Sequence, residues 1–170
     1  MNIQGIETRQ QIYEFITKFP GTHFREIQRN LNLPVGTLQY HVNHLKRDQL
    51  IIAKKDGEYV RFYAIGLVTE SEKSILSLLR QKPIRHIVIL LLTKERVNHK
   101  QISNELKLSP ATTSWYLNKM LESGTACKKK TGREVYYYLT NPNEVAKTIV
   151  TYKASFLDKI VDRFIEIWEK

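Results

Sequence analysis

Sliding the chain along itself by 75 residues lays its second half on its first without a gap, and this internal repeat limits the fold more than any single motif. Ile12 falls on Ile87, Ile27 on Ile102, Leu31 on Leu106, Leu33 on Leu108, Thr37 on Thr112 and Asn43 on Asn118. Further along, Lys54 and Lys55 fall on Lys129 and Lys130, Gly57 on Gly132, Val60 on Val135 and Tyr63 on Tyr138. Chance supplies a few such identities. It does not supply the same order of helix, turn and hairpin signals around them, so the chain holds two copies of one supersecondary unit.

In the first copy, Ile12, Tyr13, Phe15, Ile16 and Phe19 recur at helical spacing from Glu7 to Lys18, and Pro20-Gly21 stops that helix. Thr22 or His23 opens a shorter helix, Phe24 to Leu31, which buries Ile27 and Leu31. Asn32-Leu33-Pro34 then turns the chain into a third helix. After Asp48, the segments LIIAKK and EYVRFYAI flank Asp56-Gly57 and read as two strands of a β-hairpin. Two helices joined by a tight turn and followed by a basic hairpin make a helix-turn-helix with a wing. The second copy has clearer helix starts: Asn98 with Gln101 forms a capping box, and Ser109-Pro110 supplies an N-cap and a first-turn proline.

The third helix, in the stretch LPVGTLQYHVNHLKR, sorts into two faces. Leu38, Val42 and Leu45 at i, i+4 and i+7 form an apolar stripe. At about 100° per residue, Gly36, Tyr40, Asn43 and Arg47 land opposite, with Gln39 on one flank and Thr37 and His44 on the other. Any amphipathic surface helix has a solvated polar side. This one carries the groups that read a major groove: Arg for guanine, Asn or Gln for adenine, Thr for a thymine methyl or a phosphate.

Charge points the same way. The chain's net charge is +10 with a pI near 9.7, which calls for an anionic partner. Residues 1–82 carry +4 and residues 83–143 carry +6, whereas residues 144–170 are neutral and have another task. A balance of 42% hydrophobic and 26% charged residues is that of a globular, water-soluble chain, not a disordered one. Cys127 is the only cysteine, so no intramolecular disulfide forms, and a reducing compartment, the cytoplasm, is expected. No secretory leader is recognised at the N-terminus. The longest apolar run, Ile87 to Leu92, falls short of the roughly 18–20 residues that span a bilayer, so no membrane partner is expected.

Four segments are expected: a first module at residues 1–68, a helical linker at 69–82, a second module at 83–141 and an amphipathic helix at 142–170. The linker opens on the capping box Thr69-Glu70-Ser71-Glu72 and lacks the Gly/Ser richness of a flexible tether. In the last segment Val145, Ile149, Tyr152, Phe156, Ile160, Phe164 and Trp168 fall on one stripe of a single helix about 40 Å long. Such a stripe covers either a second copy of the chain or the second module. The first is expected, with Ile149, Tyr152, Phe156, Ile160, Phe164 and Trp168 as the homodimer seam. The fold class is thus mainly α with small β wings: two tandem winged helix-turn-helix modules and a long C-terminal helix.

FREIQRNLNLPVGTLQYHVNHLKRDQLI, with its GTLQYHVNHL signature and DG wing tip, resembles the winged helix-turn-helix transcriptional regulators of prokaryotes. The likeness is to the ArsR/MarR-like proteins and the tandem two-winged forms common in archaea, and it covers about residues 6–140; SPATTSWYLNKMLESG is its looser second instance. The resemblance implies a three-helix core, a recognition helix in the major groove and a wing on the DNA backbone or minor groove. Carried over by position, it assigns Thr37, Gln39, Tyr40, Asn43, His44 and Arg47 to the groove and Lys54, Lys55 and Arg61 to the wing contacts. The repeat extends these to Thr112, Ser114, Asn118 and Lys119, with Lys128, Lys129, Lys130 and Arg133 on the second wing.

The implied function is a sequence-specific regulator that binds double-stranded DNA. A second possibility is a tandem winged-helix adaptor in a transcription or replication assembly, of the TFIIE type, that binds mainly protein through Trp115 and the C-terminal helix. An enzyme is not expected, since phosphate-loop, zinc-protease and nucleophile-elbow patterns are missing. No cofactor or metal is expected either. ArsR-like metal sensors pair Cys with His, whereas here His41 lies towards the core, as a half-buried and satisfied residue, and His44 towards solvent. Tyr136 to Tyr138 alternate in a strand, which should bury at least one of them. Finally, Arg47 falls on Glu122 and Tyr40 on Trp115, so the modules are unequal. The first is the base reader, and the second acts mainly through its wing.

Overall fold

A computed structural model describes residues 3–170, whose contacts divide into two compact units on either side of the Lys73–Ser74 boundary. In the first, α1 (Ile3–Lys18), α2 (Phe24–Leu31) and α3 (Val35–Arg47) surround a core of Ile12, Ile16, Ile27, Leu38, Val42, Leu45, Ile51 and Phe62. α1 begins four residues before its hydrophobic periodicity does, because its first turn buries nothing: Ile3 is 69% exposed and Ile6 47%. His23 caps α2. Its Nδ1 accepts from Glu26 N–H at 3.4 Å while the Glu26 carboxylate accepts from His23 N–H at 3.0 Å, so both ends of a capping box are closed.

The wing is a sheet of three antiparallel strands, not two. β1 (Thr22–His23), β2 (Ile51–Asp56) and β3 (Tyr59–Ala64) lie in the order β1-β3-β2. β1 is only two residues long, too short to show the alternation by which a strand is recognised. α4 (Glu70–Leu79) opens on the expected capping box, in which Thr69 Oγ1 accepts from Glu72 N–H at 3.1 Å and Glu72 accepts from Thr69 N–H at 2.9 Å.

The second unit repeats the plan with α5 (Lys82–Thr93), β4 (Val97–Asn98), α6 (His99–Leu106), α7 (Pro110–Glu122), β5 (Ala126–Thr131) and β6 (Glu134–Leu139). Strand order is again β4-β6-β5, and the pairing Ile51↔Ala64 recurs as Ala126↔Leu139 with the same 75-residue offset. Both expected helix starts are present: Asn98 and Gln101 cap each other, and Ser109 Oγ accepts from Thr112 N–H at 3.1 Å. Backbone conformation follows the repeat as well. Gly57 and Gly132 take φ of 58° and 65° at the two wing tips, and Gln49, at φ 56°, stands where the second unit has Gly124 at φ 74°.

The last segment departs from the single rod expected of it. It folds as α8 (Pro142–Thr151), a 3-10 turn at Lys153–Ser155, and α9 (Lys159–Trp168), which packs back on α5. Asp158 ends one run and starts the next. Its carboxylate accepts from Ile160 N–H at 3.2 Å as a helix cap, and it also meets His86 Nε2 at 2.9 Å and Arg85 at 3.3 Å. The expected dimer stripe is therefore largely consumed within its own unit. Ile149, Phe156 and Phe164 are buried there, Tyr152 is half-buried, and only Ile160 and Trp168 stay exposed.

A left-handed conformation costs a residue with a Cβ about 1–2 kcal/mol, so Gln49→Gly should stabilise the chain by about 0.5–1 kcal/mol once glycine's greater unfolded freedom is subtracted. Urea unfolding checks this. Asp158 supplies a second expectation. Burial works to raise its pKa, but the Ile160 N–H, the contact with His86 and the Arg85 guanidinium outweigh that and hold it below the usual carboxylate value. A depressed folded pKa means that the docking of α9 is fully supported above the unfolded value and weakens as pH falls through the folded one. Trp168, packed on Phe164 at 5.5 Å, should report the release by fluorescence at acid pH, and Asp158→Asn should remove that pH dependence.

Candidate nucleic-acid interface

α3 is held by one side and free on the other. Leu38, His41, Val42 and Leu45 are buried, and the helix packs on α1. That anchorage leaves Gln39, Tyr40, Asn43 and Arg47 exposed and Thr37 and His44 half-buried, so the six positions form one continuous face. Along it, Gln39 Nε2 donates to Asn43 Oδ1 at 3.0 Å, and the Tyr40 ring meets His44 edge-on at 4.5 Å. Arg47 Nη2 lies 2.6 Å from His44 Nδ1, and its Nε lies 3.6 Å from Asp48. Because guanidinium only donates, His44 Nδ1 must accept, which places the ring proton on Nε2. Desolvation and the Arg47 and Arg9 cations, against the pull of Asp48, hold the imidazole pKa below its ordinary value, consistent with that neutral form.

His41 differs from the half-buried, satisfied residue expected of it. It is 5% exposed, and its Nδ1 has no hydrogen-bond partner. The helix turns it further inward than its angular position alone indicates, because α1 closes over that side.

Of the first wing's cations, Lys55 is exposed and carries no ion pair among the described residues, whereas Lys54 Nζ reaches Glu70 at 3.1 Å. Glu70 also accepts from Lys73, and these two lysines lower its pKa, Lys73 first. Arg61 is not available as a wing contact. Its side chain is 9% exposed, with Nε 2.5 Å from Asp56 Oδ2 and Nη1 donating to Gly21 O at 3.1 Å. The cause is its place on β3, the central strand, where neighbouring chain covers it on both sides. Tyr59 was left out of the sequence reading. It is 50% exposed beside the wing tip and stacks on His23 at 5.0 Å, and its position just after Asp56-Gly57 was the available signal.

On α7, Thr113, Leu117 and Met120 are buried, and Trp115 is 56% exposed, as is Tyr40 at the matching place. Asn118, Thr112 and Glu122 are exposed, while half-buried Lys119 lies 5.0 Å over the Trp115 ring. Ser114 is committed inside the unit, 2.9 Å from His99 Nε2. On the second wing Lys128, Lys129, Lys130 and Arg133 are all exposed, and none forms an ion pair among the described residues. Tyr136, Tyr137 and Tyr138 are each half-buried, so strand alternation buries none of them fully; β6 is covered only in part. Among the described residues no three His, Cys, Asp or Glu side chains gather as a metal site, and no helix is long and apolar enough to cross a membrane.

Comparison with known proteins agrees with this geometry. Residues 6–76 match a family described as an N-terminal HTH domain, and residues 84–125 match one described as winged helix-turn-helix DNA-binding. The chain is 31% identical over 143 residues to an uncharacterized HTH-type transcriptional regulator of Methanocaldococcus jannaschii. That match takes in 78% of this chain and 33% of the relative, so the chain spans about a third of the relative's length. Among solved structures, HlyU from Vibrio cholerae is similar with 21% identity and a TM-score of 0.44, over 49% of this chain and 90% of that one. A ZitR mutant from Lactococcus lactis in complex with DNA is similar with 19% identity and a TM-score of 0.33, over 77% and 89%. The chain thus carries helix-turn-helix domains in tandem, each with a three-stranded winged sheet.

Arg61→Ala should destabilise the first unit by about 1–3 kcal/mol, since Asp56 and the Gly21 carbonyl lose a buried partner. In a salt titration of duplex binding its slope should stay that of the unaltered chain. Lys55→Ala should do the reverse, leaving urea unfolding within about 0.5 kcal/mol and lowering the salt slope by about one.

Proposed function

We propose that this tandem winged helix-turn-helix chain is a sequence-specific regulator of transcription that binds double-stranded DNA. The observation that carries this reading is the exposed row Gln39, Tyr40, Asn43 and Arg47 on a helix anchored through its opposite face. A rigidly held helix offering bidentate Asn, Gln and Arg groups suits base edges, and exposed wing cations suit phosphates. Phosphate contacts supply affinity and hold the register; the α3 face supplies preference.

The two recognition helices divide the work. Arg47 gains from both phosphate and guanine, whereas Glu122 at the same place on α7 is repelled by phosphate and accepts only from a cytosine amino group. The second unit therefore contributes through Lys128, Lys129, Lys130 and Arg133. Trp115, large, exposed and a donor only, favours an adaptor role for that helix, in which it meets a protein of the transcription machinery. Dimerisation through the last segment, if it completes a two-half-site reader, rests on the outer face of α9, where Ile160, Ile167 and Trp168 remain exposed with Leu157 nearby. A regulator of this kind works in the cytoplasm.

Selection of bound fragments from random duplex DNA tests the reading: enrichment of one sequence supports it, and none would leave the adaptor role. With six to ten phosphates in contact, affinity should fall by about 10³ to 10⁵ between 50 and 200 mM salt. On the selected sequence, Arg47→Ala should cost about 1–3 kcal/mol and relax preference at one base pair, whereas Glu122→Ala should leave preference unchanged. Equal loss of preference from both substitutions would contradict the division of labour.

A further inference from the structure

Strand pairing fixes which residues of the second wing face away from its core. Leu139, Ala126 and Val97 are buried and mark the inner side, to which Tyr137 belongs as the partner of Val97. Side chains alternate along a strand, so Tyr136 and Tyr138 point outward from β6, with Lys129 and Cys127 opposite them on β5. The two tyrosines are half-buried, and Lys129 and Cys127 are exposed. At about 3.4 Å per residue, the rings stand about 7 Å apart along the central strand.

In the first unit the same face is closed. Tyr63, at the place of Tyr138, is 1% exposed; Gly21 lies against its ring, and Lys73 Nζ sits 5.6 Å over it. Arg61, at the place of Tyr136, is committed to Asp56 and the Gly21 carbonyl. Lys54, at the place of Lys129, reaches Glu70, which also accepts from Lys73. None of these closures recurs. The 75-residue offset puts Val145 and Thr148 where α4 has Glu70 and Lys73, Thr131 where Asp56 stands, and Arg96 in place of Gly21. Lys129 and Arg96 form no ion pair among the described residues, and the exposed Arg96 guanidinium lies 5.0 Å over the Tyr136 ring. One copy shows that the fold can seal this face, so outward tyrosines between unpaired cations are there for something other than folding.

We infer that the outer face of the second sheet binds single-stranded nucleic acid, with unpaired bases stacked on Tyr136 and Tyr138 and Lys129 on the phosphates. Every base has a π-face and every nucleotide a negative charge, so rings on one strand beside a cation on the next match a chain of nucleotides. Arg96 yields the Tyr136 ring to an entering base, on whose other side a guanidinium stacks as well. A duplex cannot use these rings, because its bases are stacked on one another and show only their edges in the grooves. The carboxylate on this face, Glu134, lies at the wing-tip end of β6 and accepts from Asn98 Nδ2 at 2.9 Å. This activity goes beyond the proposed duplex reading and does not rest on it: α3 belongs to the first unit and this face to the second.

The test uses the full chain and end-labelled strands of about twelve nucleotides, oligothymidylate, oligouridylate and an abasic phosphodiester, followed by fluorescence anisotropy at one salt concentration. At least one base-bearing strand should bind about tenfold more tightly than the abasic one, and the ring protons of Tyr136 and Tyr138 should shift upfield with it alone. Preference between thymidylate and uridylate separates DNA from RNA as the source of the strand. Tyr136→Leu/Tyr138→Leu, which keeps apolar bulk, should fall to the abasic level. Tyr136→Phe/Tyr138→Phe, which keeps the rings, should stay within about twofold of the unaltered chain. Equal binding of base-bearing and abasic strands, or tyrosine rings that do not shift, would overturn the inference even if the leucine variant fails to fold. So would undiminished binding by that variant, or a loss that follows Trp115→Leu in place of the tyrosines. A leucine variant that loses the selected duplex as fully as the single strand assigns the tyrosines to duplex binding and overturns it too. A chain that binds the single strand and no duplex removes the duplex reading and keeps this face.

Discussion

Everything the first unit offers to a partner is aimed by the contact between α3 and α1. Leu38, Val42 and Leu45 interlock with the core around Ile12 and Ile16, all at 2% exposure or less. Helices seated this way rotate as side chains lock into grooves, so the buried stripe decides which residues face outward. Rotation of α3 by one residue, setting Asn43 in the buried place of Val42, would carry Leu45 out to the half-buried place of His44. The exposed row of Gln39, Tyr40, Asn43 and Arg47 is thus a consequence of packing, and its internal hydrogen bonds hold side chains already pointed by the core.

The repeat makes the chain its own control. Two copies keep strand order, register and the bounds of their second and third helices at a 75-residue offset, while α1 starts four residues earlier than α5, and each place where they differ isolates a choice that the fold does not require. Gly124 shows the turn after the recognition helix without strain, and Gln49 shows it with some. Ser109 shows a closed helix start, and Pro34 an open one. Such differences separate what holds a winged module together from what a particular module is used for.

Local signals carried far in the sequence, and their range marks where they stopped. Capping boxes at Thr69 and Asn98, the Ser109 cap and the Asp56-Gly57 wing tip act over three or four residues, and all were readable. The exposed row of α3 followed from helical angle alone. Arg61 looked like any other wing cation, because its partner carbonyl at Gly21 lies forty residues away and its cover comes from being on the middle strand. The break in the last segment had no proline or glycine to announce it. Asp158 reads as an ordinary acid in an amphipathic run until His86 and Arg85, more than seventy residues earlier, are brought beside it. The two-residue strands were invisible for a different reason, since a period of two needs more than two residues to appear.

The same limits explain why α3 and α7 look alike in periodicity yet differ on their outer faces. Helical periodicity records only the buried side, and there α3 and α7 share three matching places, Leu38 and Thr113, Val42 and Leu117, Leu45 and Met120, though buried His41 is answered by half-buried Tyr116. The outer side is unconstrained by folding and has diverged in charge, Arg47 against Glu122, and in shape, Tyr40 against Trp115. Opposite charges at one place on one scaffold meet a phosphate-lined groove with energies of opposite sign, whatever the rest of the face contributes. Two modules that shared one partner in one manner would gain nothing from that opposition. Under the proposed DNA-binding role, the second face is relieved of reading bases while its wing, whose four exposed cations form no ion pair among the described residues, adds to the attraction for a polyanion.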